Sequence, residues 1–442
     1  MRFKQRATIL VATTTGVVAC AAIAVPAAAS AASLWVAHAT TVSGNGTSCT
    51  KPGYNTIQSA LEKASSGGKV EVCGGTYTEQ LQITNPVTIA ANGSVTVKLP
   101  ANPANATTEC DTATGTQSYA ADQDEVSICT SGTVTLTGLT IDAAWPGGTC
   151  YESLYGVLVA GGATLKASGL AITAAGAVPL DGCQGGVGIQ VGMGWTTPVE
   201  VGHATLSNVS VSGYQKNGIT VDGTGSTATI SNTTVTGIGA TPEIAQNGIQ
   251  VSNGAESKIS NSVITGDECD VSVCGPNSLT ETQSAGILFY GASAGSSVSK
   301  STISDSDVGV YSADASPTAP TSSQLAITSD KLTADRYESV LLDQGWATVN
   351  SDEIEGGNVG IQLIQYAGQS YGAKGTGSND TISGMADWAV QGLSDGKVGE
   401  DRAGSFAILK SHISGNPPGA SVSNSVTSNS PSLAITTASN DS

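Results

Sequence analysis

The sequence predicts an all-β fold, a parallel β-helix solenoid, from two interleaved repeats. The first is an aliphatic residue, a spacer, a turn-former, two spacers and a second aliphatic residue, as in Leu206-Ser-Asn208-Val-Ser-Val211, Ile230-Ser-Asn232-Thr-Thr-Val235 and Ile259-Ser-Asn261-Ser-Val-Ile264. Its turn position falls at 138, 169, 208, 232, 261, 300, 329, 351, 379 and 410, steps of about 30 residues, which is a solenoid period. The second repeat, clearest in Gly188-Ile-Gln-Val, Gly218-Ile-Thr-Val and Gly248-Ile-Gln-Val, alternates inward and outward side chains as short strands do. Each coil therefore holds three strands: the Gly-Ile-x-Val run, the run ending at the turn, and the run after it. Stacked in parallel about 4.8 Å apart, they make one long domain over residues 32–442. Asn and Gly suit the turn because both tolerate a left-handed backbone, and Asn208, Asn232 and Asn261 are expected to form a side-chain ladder or to be turn residues only.

The run from Thr56-Ile-Gln-Ser-Ala-Leu61 through Gly74-Gly-Thr-Tyr-Thr-Glu79, followed by Leu81-Gln-Ile and Val87-Thr-Ile, resembles the opening of pectin-lyase-like right-handed β-helix proteins. The resemblance implies a right-handed stack of about ten to twelve coils with an N-terminal capping helix at 55–66. Ile57, Ala60, Leu61 and Ala64 fall on one helical face, as a lid over an open apolar end requires. The resemblance speaks for architecture and not for chemistry. Catalytic motifs of its members, such as Asn-Thr-Asp with Gly-His-Gly and Arg-Ile-Lys, or Gly-x-x-Asp-Phe, are missing from the chain, so no catalytic residue carries over.

Residues 1–31 read as a signal peptide: a basic start, an apolar stretch and a small-x-small site at Ala29-Ser-Ala31. The alternative is a lipoprotein anchored through Cys20. An exported chain with eight further cysteines implies disulfides, and because solenoid coils contact only neighbours, the expected pairs are Cys49 with Cys73, Cys110 with Cys129, Cys150 with Cys183, and Cys269 with Cys274. Insertions are expected at 100–131 and 266–283, and a Ser/Asn-rich segment at 416–442. The formal charge is −18, and loss of Arg2, Lys4 and Arg6 with the leader makes it −21. Such a field repels nucleic acid, anionic lipid and polyuronate alike, and no apolar run after the leader is long enough to span a bilayer.

A ligand site is expected on the outer face of the Gly-Ile-x-Val strands. Two outward columns are predicted, one running Tyr155, Val187, Asn217, Asn247, Ala285, Val308, Glu338, Val359, Trp388 and the other Leu158, Gln190, Thr220, Gln250, Leu288, Tyr311, Leu341, Gln362, Gln391. The lower half concentrates aromatic and polar residues: Tyr290, Tyr311, Arg336, Tyr337, Asp343, Gln362, Trp388 and Gln391 are candidate substrate-binding residues, with Trp346 and Tyr366 alongside. Rings stack on sugar faces while amides and carboxylates bond hydroxyls, so the expected partner is a polysaccharide or cell-surface glycan. Asp307 and Glu338, in adjacent coils, are the candidate catalytic carboxylates for hydrolysis, with Lys331 or Arg336 as the weaker base of an elimination. No cofactor is expected beyond a candidate calcium at Asp267, Glu268 and Asp270, which read more readily as a solvated acidic loop. Thr133, Thr135 and Thr137 form a Thr-x-Thr strand whose pattern is expected not to recur on one face. The second functional reading is a non-catalytic structural or surface-interaction solenoid.

Overall fold

A computed structural model describes residues 32–39, 41–104, 110, 123–146, 150, 154–274, 284–313, 324–365, 373–394, 405–417, 422–426 and 434–437. The expected signal peptide, Cys20, Tyr366 and much of the two insertions and of the C-terminal segment lie outside them. Nearly all described strands pair in parallel, the exception being Gly46–Ser48 with Lys51–Pro52. A twelve-stranded sheet runs from Leu81–Ile83 to Val422–Val426 and contains every Gly-Ile-x-Val segment. The two other strand families of each coil belong to one 23-stranded sheet. They are joined there because the early strands Gly68–Thr78, Val87–Lys98 and Thr133–Trp145 run through the corner without a break.

All ten predicted turn positions have a left-handed backbone, with φ between 49° at Asn232 and 71° at Gly138. The corner is the same in each coil, but the ladder inside it is not the expected one. Asn208, Asn232 and Asn261 are exposed. The residue after the turn points inward and stacks instead: Thr233 N–H donates to Ser262 Oγ, Ser262 N–H to Ser301 Oγ and Ser301 N–H to Asp330 Oδ1. The chain of bonds continues from Asp330 N–H to Asp352, from Asp352 N–H to Asp380, and from Asp380 N–H to Ser411 Oγ. A buried N–H that no strand can satisfy thus finds an acceptor one coil on.

The apolar columns are continuous. Ile189, Ile219, Ile249, Ile287, Val310, Val340, Ile361 and Val390 lie in register and are fully buried. Six of these eight residues follow a glycine, and at Gly218 the reason is steric, since a Cβ there would sit 2.5 Å from both Gly248 O and Val235 Cγ1. Helix Ile57–Leu61 buries Ile57, Ala60 and Leu61 in the main core. Its first two N–H groups, Ile57 and Gln58, donate to the two carboxylate oxygens of Glu79 at 2.8 and 3.0 Å. This satisfies donors that every helix start leaves open and explains why the Gly-Thr-Tyr-Thr run ends in an acid.

The four disulfides are Cys49–Cys73, Cys110–Cys129, Cys150–Cys183 and Cys269–Cys274, the nearest-neighbour pairs that a solenoid favours. On the outer surface the Thr-x-Thr pattern of Thr133, Thr135 and Thr137 does not recur, since His203 and Glu256 follow in the first column and Lys166 and Lys258 in the second; only the Thr137 column keeps a hydroxyl, through Ser168, Ser207, Ser231, Ser260, Ser299 and Thr328. Several of these bond within the protein, for example Ser207 Oγ with Asn208 Nδ2 and Ser231 Oγ with Leu206 O.

Candidate functional site

Both predicted outward columns of the twelve-stranded sheet are present in register, from Tyr155 to Trp388 and from Leu158 to Gln391. Outward does not mean exposed. Tyr155, Leu158, Gln190, Asn217, Thr220, Asn247, Ala285, Val308, Glu338, Leu341 and Gln362 are all buried. In the upper half the polar members satisfy one another: Asn247 Nδ2 donates to Asn217 Oδ1 at 3.0 Å, and Asn217 Nδ2 to Gln250 Oε1 at 3.2 Å. Asp222 ends the network, accepting from Ser252 Oγ and Asn253 Nδ2 at 2.7 Å each. Lower down, Ala285, Val308, Leu341 and Ile364 form a small apolar core of their own, with Leu288 and Tyr311 against it.

The candidate catalytic pair is not on an open face. Asp307 is 0% exposed and holds the base of the Cys269–Cys274 loop: its Oδ2 accepts Cys269 N–H at 3.1 Å and Ser284 N–H at 2.8 Å. Its Oδ1 pairs with Arg336 Nη2, which also donates to Cys269 O. Burial raises the Asp307 pKa to about 6, against the lowering effect of these donors. Glu338 is 1% exposed. Arg336, expected on the sugar face, is taken up by this clamp and stacks 4.9 Å from the Tyr337 ring, and Tyr337 is itself buried.

The remaining candidates divide by exposure. Tyr290 is 46% exposed. Trp388 and Gln391 are half-buried, with Gln391 accepting from Gln362 Nε2 at 2.9 Å. The Tyr311 hydroxyl donates to Asp343 Oδ2 at 3.1 Å, and burial raises the Asp343 pKa. The acidic trio is dispersed. Asp267 is fully buried and accepts from Tyr214 Oη at 2.6 Å, while Asp270 accepts from Ser272 N and Oγ. Among the described residues no three His, Cys, Asp or Glu side chains gather into a metal-holding group, so the expected calcium set is not assembled.

Sequence reasoning missed a stack of titrating groups. Asp330, Asp352 and Asp380 succeed one another down the inner ladder, and burial raises their pKa values to about 7, 6 and 7. The signal was present, since Ser-Asp330, Ser-Asp352 and Asn-Asp380 each follow the turn position. Glu125, 0% exposed, is a further buried acid, raised to about 9 by burial. Also undervalued was Trp346, which opens the strand Trp346–Asn350 and sits 5.3 Å from Lys374 Nζ in the next coil.

The family model described as right handed beta helix region matches residues 198–387. Over those residues the chain matches a right-handed β-helix, and the described strands form a parallel β-helix. No curated protein matches it by sequence. The β-helix is similar to the periplasmic alginate epimerase AlgG, at 11% identity over 84% of this chain and 82% of that one, with a TM-score of 0.51. It is also similar to the Agl-KA catalytic domain, at 13% identity over 86% of this chain and 65% of that one, TM-score 0.57. A third similar β-helix is XylC in complex with xylose, at 10% identity over 88% and 86%, TM-score 0.53. At such identities the likeness is one of fold.

Proposed function

We propose that this β-helix is an exported protein that binds polysaccharide along the lower coils of the twelve-stranded sheet and its adjoining corner. The observation that carries the reading is the placement of accessible aromatic rings, Tyr290, Trp346 and Trp388, on strands of that region in a chain with only 4% aromatic residues. Tyr311 with Asp343, and Gln391, supply polar groups beside them. The fold likeness to proteins named for alginate and xylose supports the substrate class. Export rests on the leader at 1–31 and is supported by four disulfides; anchoring through Cys20 is the alternative. In the same reading the twelve strands are twelve coils and helix Ile57–Leu61 is the lid of the first.

The reading assigns binding and not hydrolysis, because Asp307 and Glu338 are buried and Asp307 is spent on the clamp. A glycan array probed with the wild type, Tyr290→Ala and Trp388→Ala tests it, with at least one polysaccharide bound and about 10-fold weaker binding expected in each variant, the order of one stacking contact. Binding to no glycan shifts the assignment to the structural solenoid, which the satisfied upper half of the face favours. Glycan cleavage that disappears in Asp307→Asn and Glu338→Gln would restore the catalytic pair.

A further inference from the structure

Trp346 stands at the corner between the twelve-stranded sheet and the next strand family, with a groove on either side. One groove is lined by residues including Ala292, Ser293, Ser312 and Leu325, and the other by Lys374, Thr376 and Ser405. Gly375, on the second, is in register with the buried Ala347 and Phe406, and a Cβ on it would sit 2.2 Å from Ala347 O. Trp346, Lys374 and Ser405 are register partners in three successive coils, so ring, cation and hydroxyl follow one another along the stack.

The charge of this corner runs against that of the chain. The protein has a formal charge of −18, yet among the described residues neither groove is lined by an Asp or Glu. Lys69, Lys98, Lys258, Lys331 and Arg336 pair with carboxylates, whereas Lys374, like Lys166, Lys300 and Lys410, has no carboxylate partner among the described residues. Its ammonium lies over the Trp346 ring instead, a favourable placement that keeps one face of the cation available.

We propose that Trp346 and Lys374 form a subsite for a sugar carrying one anionic substituent, its C–H face stacked on the indole and its anionic group on the ammonium. The subsite rests on the polysaccharide reading above and narrows it to a sparsely charged chain, since a dense polyanion would meet the negative field of the rest of the protein. Thr376 and Ser405 hydroxyls face the same groove and suit the sugar's own hydroxyls.

Titration of the full chain with methyl β-glucuronide, glucose 6-sulfate and neutral methyl β-glucoside, read by indole N–H chemical shifts, tests the assignment, with Trp346→Phe identifying the Trp346 signal. The expected result is a shift of that signal with at least one anionic sugar binding about 5-fold or more tighter than the glucoside; which one does so separates carboxylate from sulfate. Lys374→Gln should remove the preference and Lys374→Arg keep it, with melting temperatures unchanged. Equal binding of all three sugars, no shift with any, or a preference that survives Lys374→Gln overturns the subsite. Array binding that is lost in Tyr290→Ala and Trp388→Ala but kept in Lys374→Gln would leave the polysaccharide reading standing without it.

Discussion

Asp330 donates its backbone N–H to the carboxylate of Asp352 at 2.7 Å, and both side chains are almost completely buried. With Asp380 they place three acids in successive coils of one corner, each raised by burial to a pKa of about 6 or 7. In the unfolded chain these groups titrate near the ordinary carboxylate value. The folded state therefore binds more protons than the unfolded one between about pH 4 and 7. Their stabilisation is fully present below the unfolded pKa and is lost as pH rises through the folded one. Melting temperature should rise by roughly 5 °C from pH 8 to pH 5. The Asp330→Asn, Asp352→Asn, Asp380→Asn triple variant keeps the acceptors and should reduce that slope, leaving the share of Asp307, whose pKa burial also raises to about 6; an unchanged slope would rule the stack out as a source.

The strand phase is tested by Ile249 and Gln250. Ile249→Asp places an unpaired carboxylate in the core and should cost several kcal/mol. Gln250→Asp is not silent, as an outward position alone would suggest. Gln250 accepts from Asn217 and donates to Ser252, so about 1–2 kcal/mol is expected from the broken network. Urea unfolding of both variants checks the order, and equal losses would contradict the register.

Glu79, just past the strand Gly68–Thr78, holds the helix start. Glu79→Ala leaves the Ile57 and Gln58 N–H groups without their acceptor and should cost about 1–2 kcal/mol. Hydrogen exchange at these two amides should quicken while that of Ile249 stays slow. Unaltered exchange at Ile57 and Gln58 would mean that Glu79 is not what holds them.

Asp307 and Arg336 pin the Cys269–Cys274 loop. Removing one partner strands the other in a poorly hydrated place, so Asp307→Ala should destabilise by about 3 kcal/mol or more. Asp307→Ala with Arg336→Ala should cost less than the two singles together. Peptide mapping should still find Cys269 joined to Cys274 in each variant. Additive losses would show that the pair is not coupled.

The repeat spacing alone determined the three strands per coil and the ten left-handed corners, because each follows from local backbone geometry; it favoured the disulfide partners, which only the folded stack decided. Alternation along Gly218-Ile-Thr-Val likewise determined that Ile219 faces in and Thr220 faces out. It could not determine that Thr220 is buried, since strand periodicity records which side of a sheet a residue takes and not what packs against that side. For the same reason Asp307 read as an exposed acid and proved to be a buried clamp. Only stacking showed the ladder through Asp330, Asp352 and Asp380, and the register of Trp346 with Lys374. Each joins residues from different coils, placed side by side by the pitch of the helix and not by their spacing in the chain.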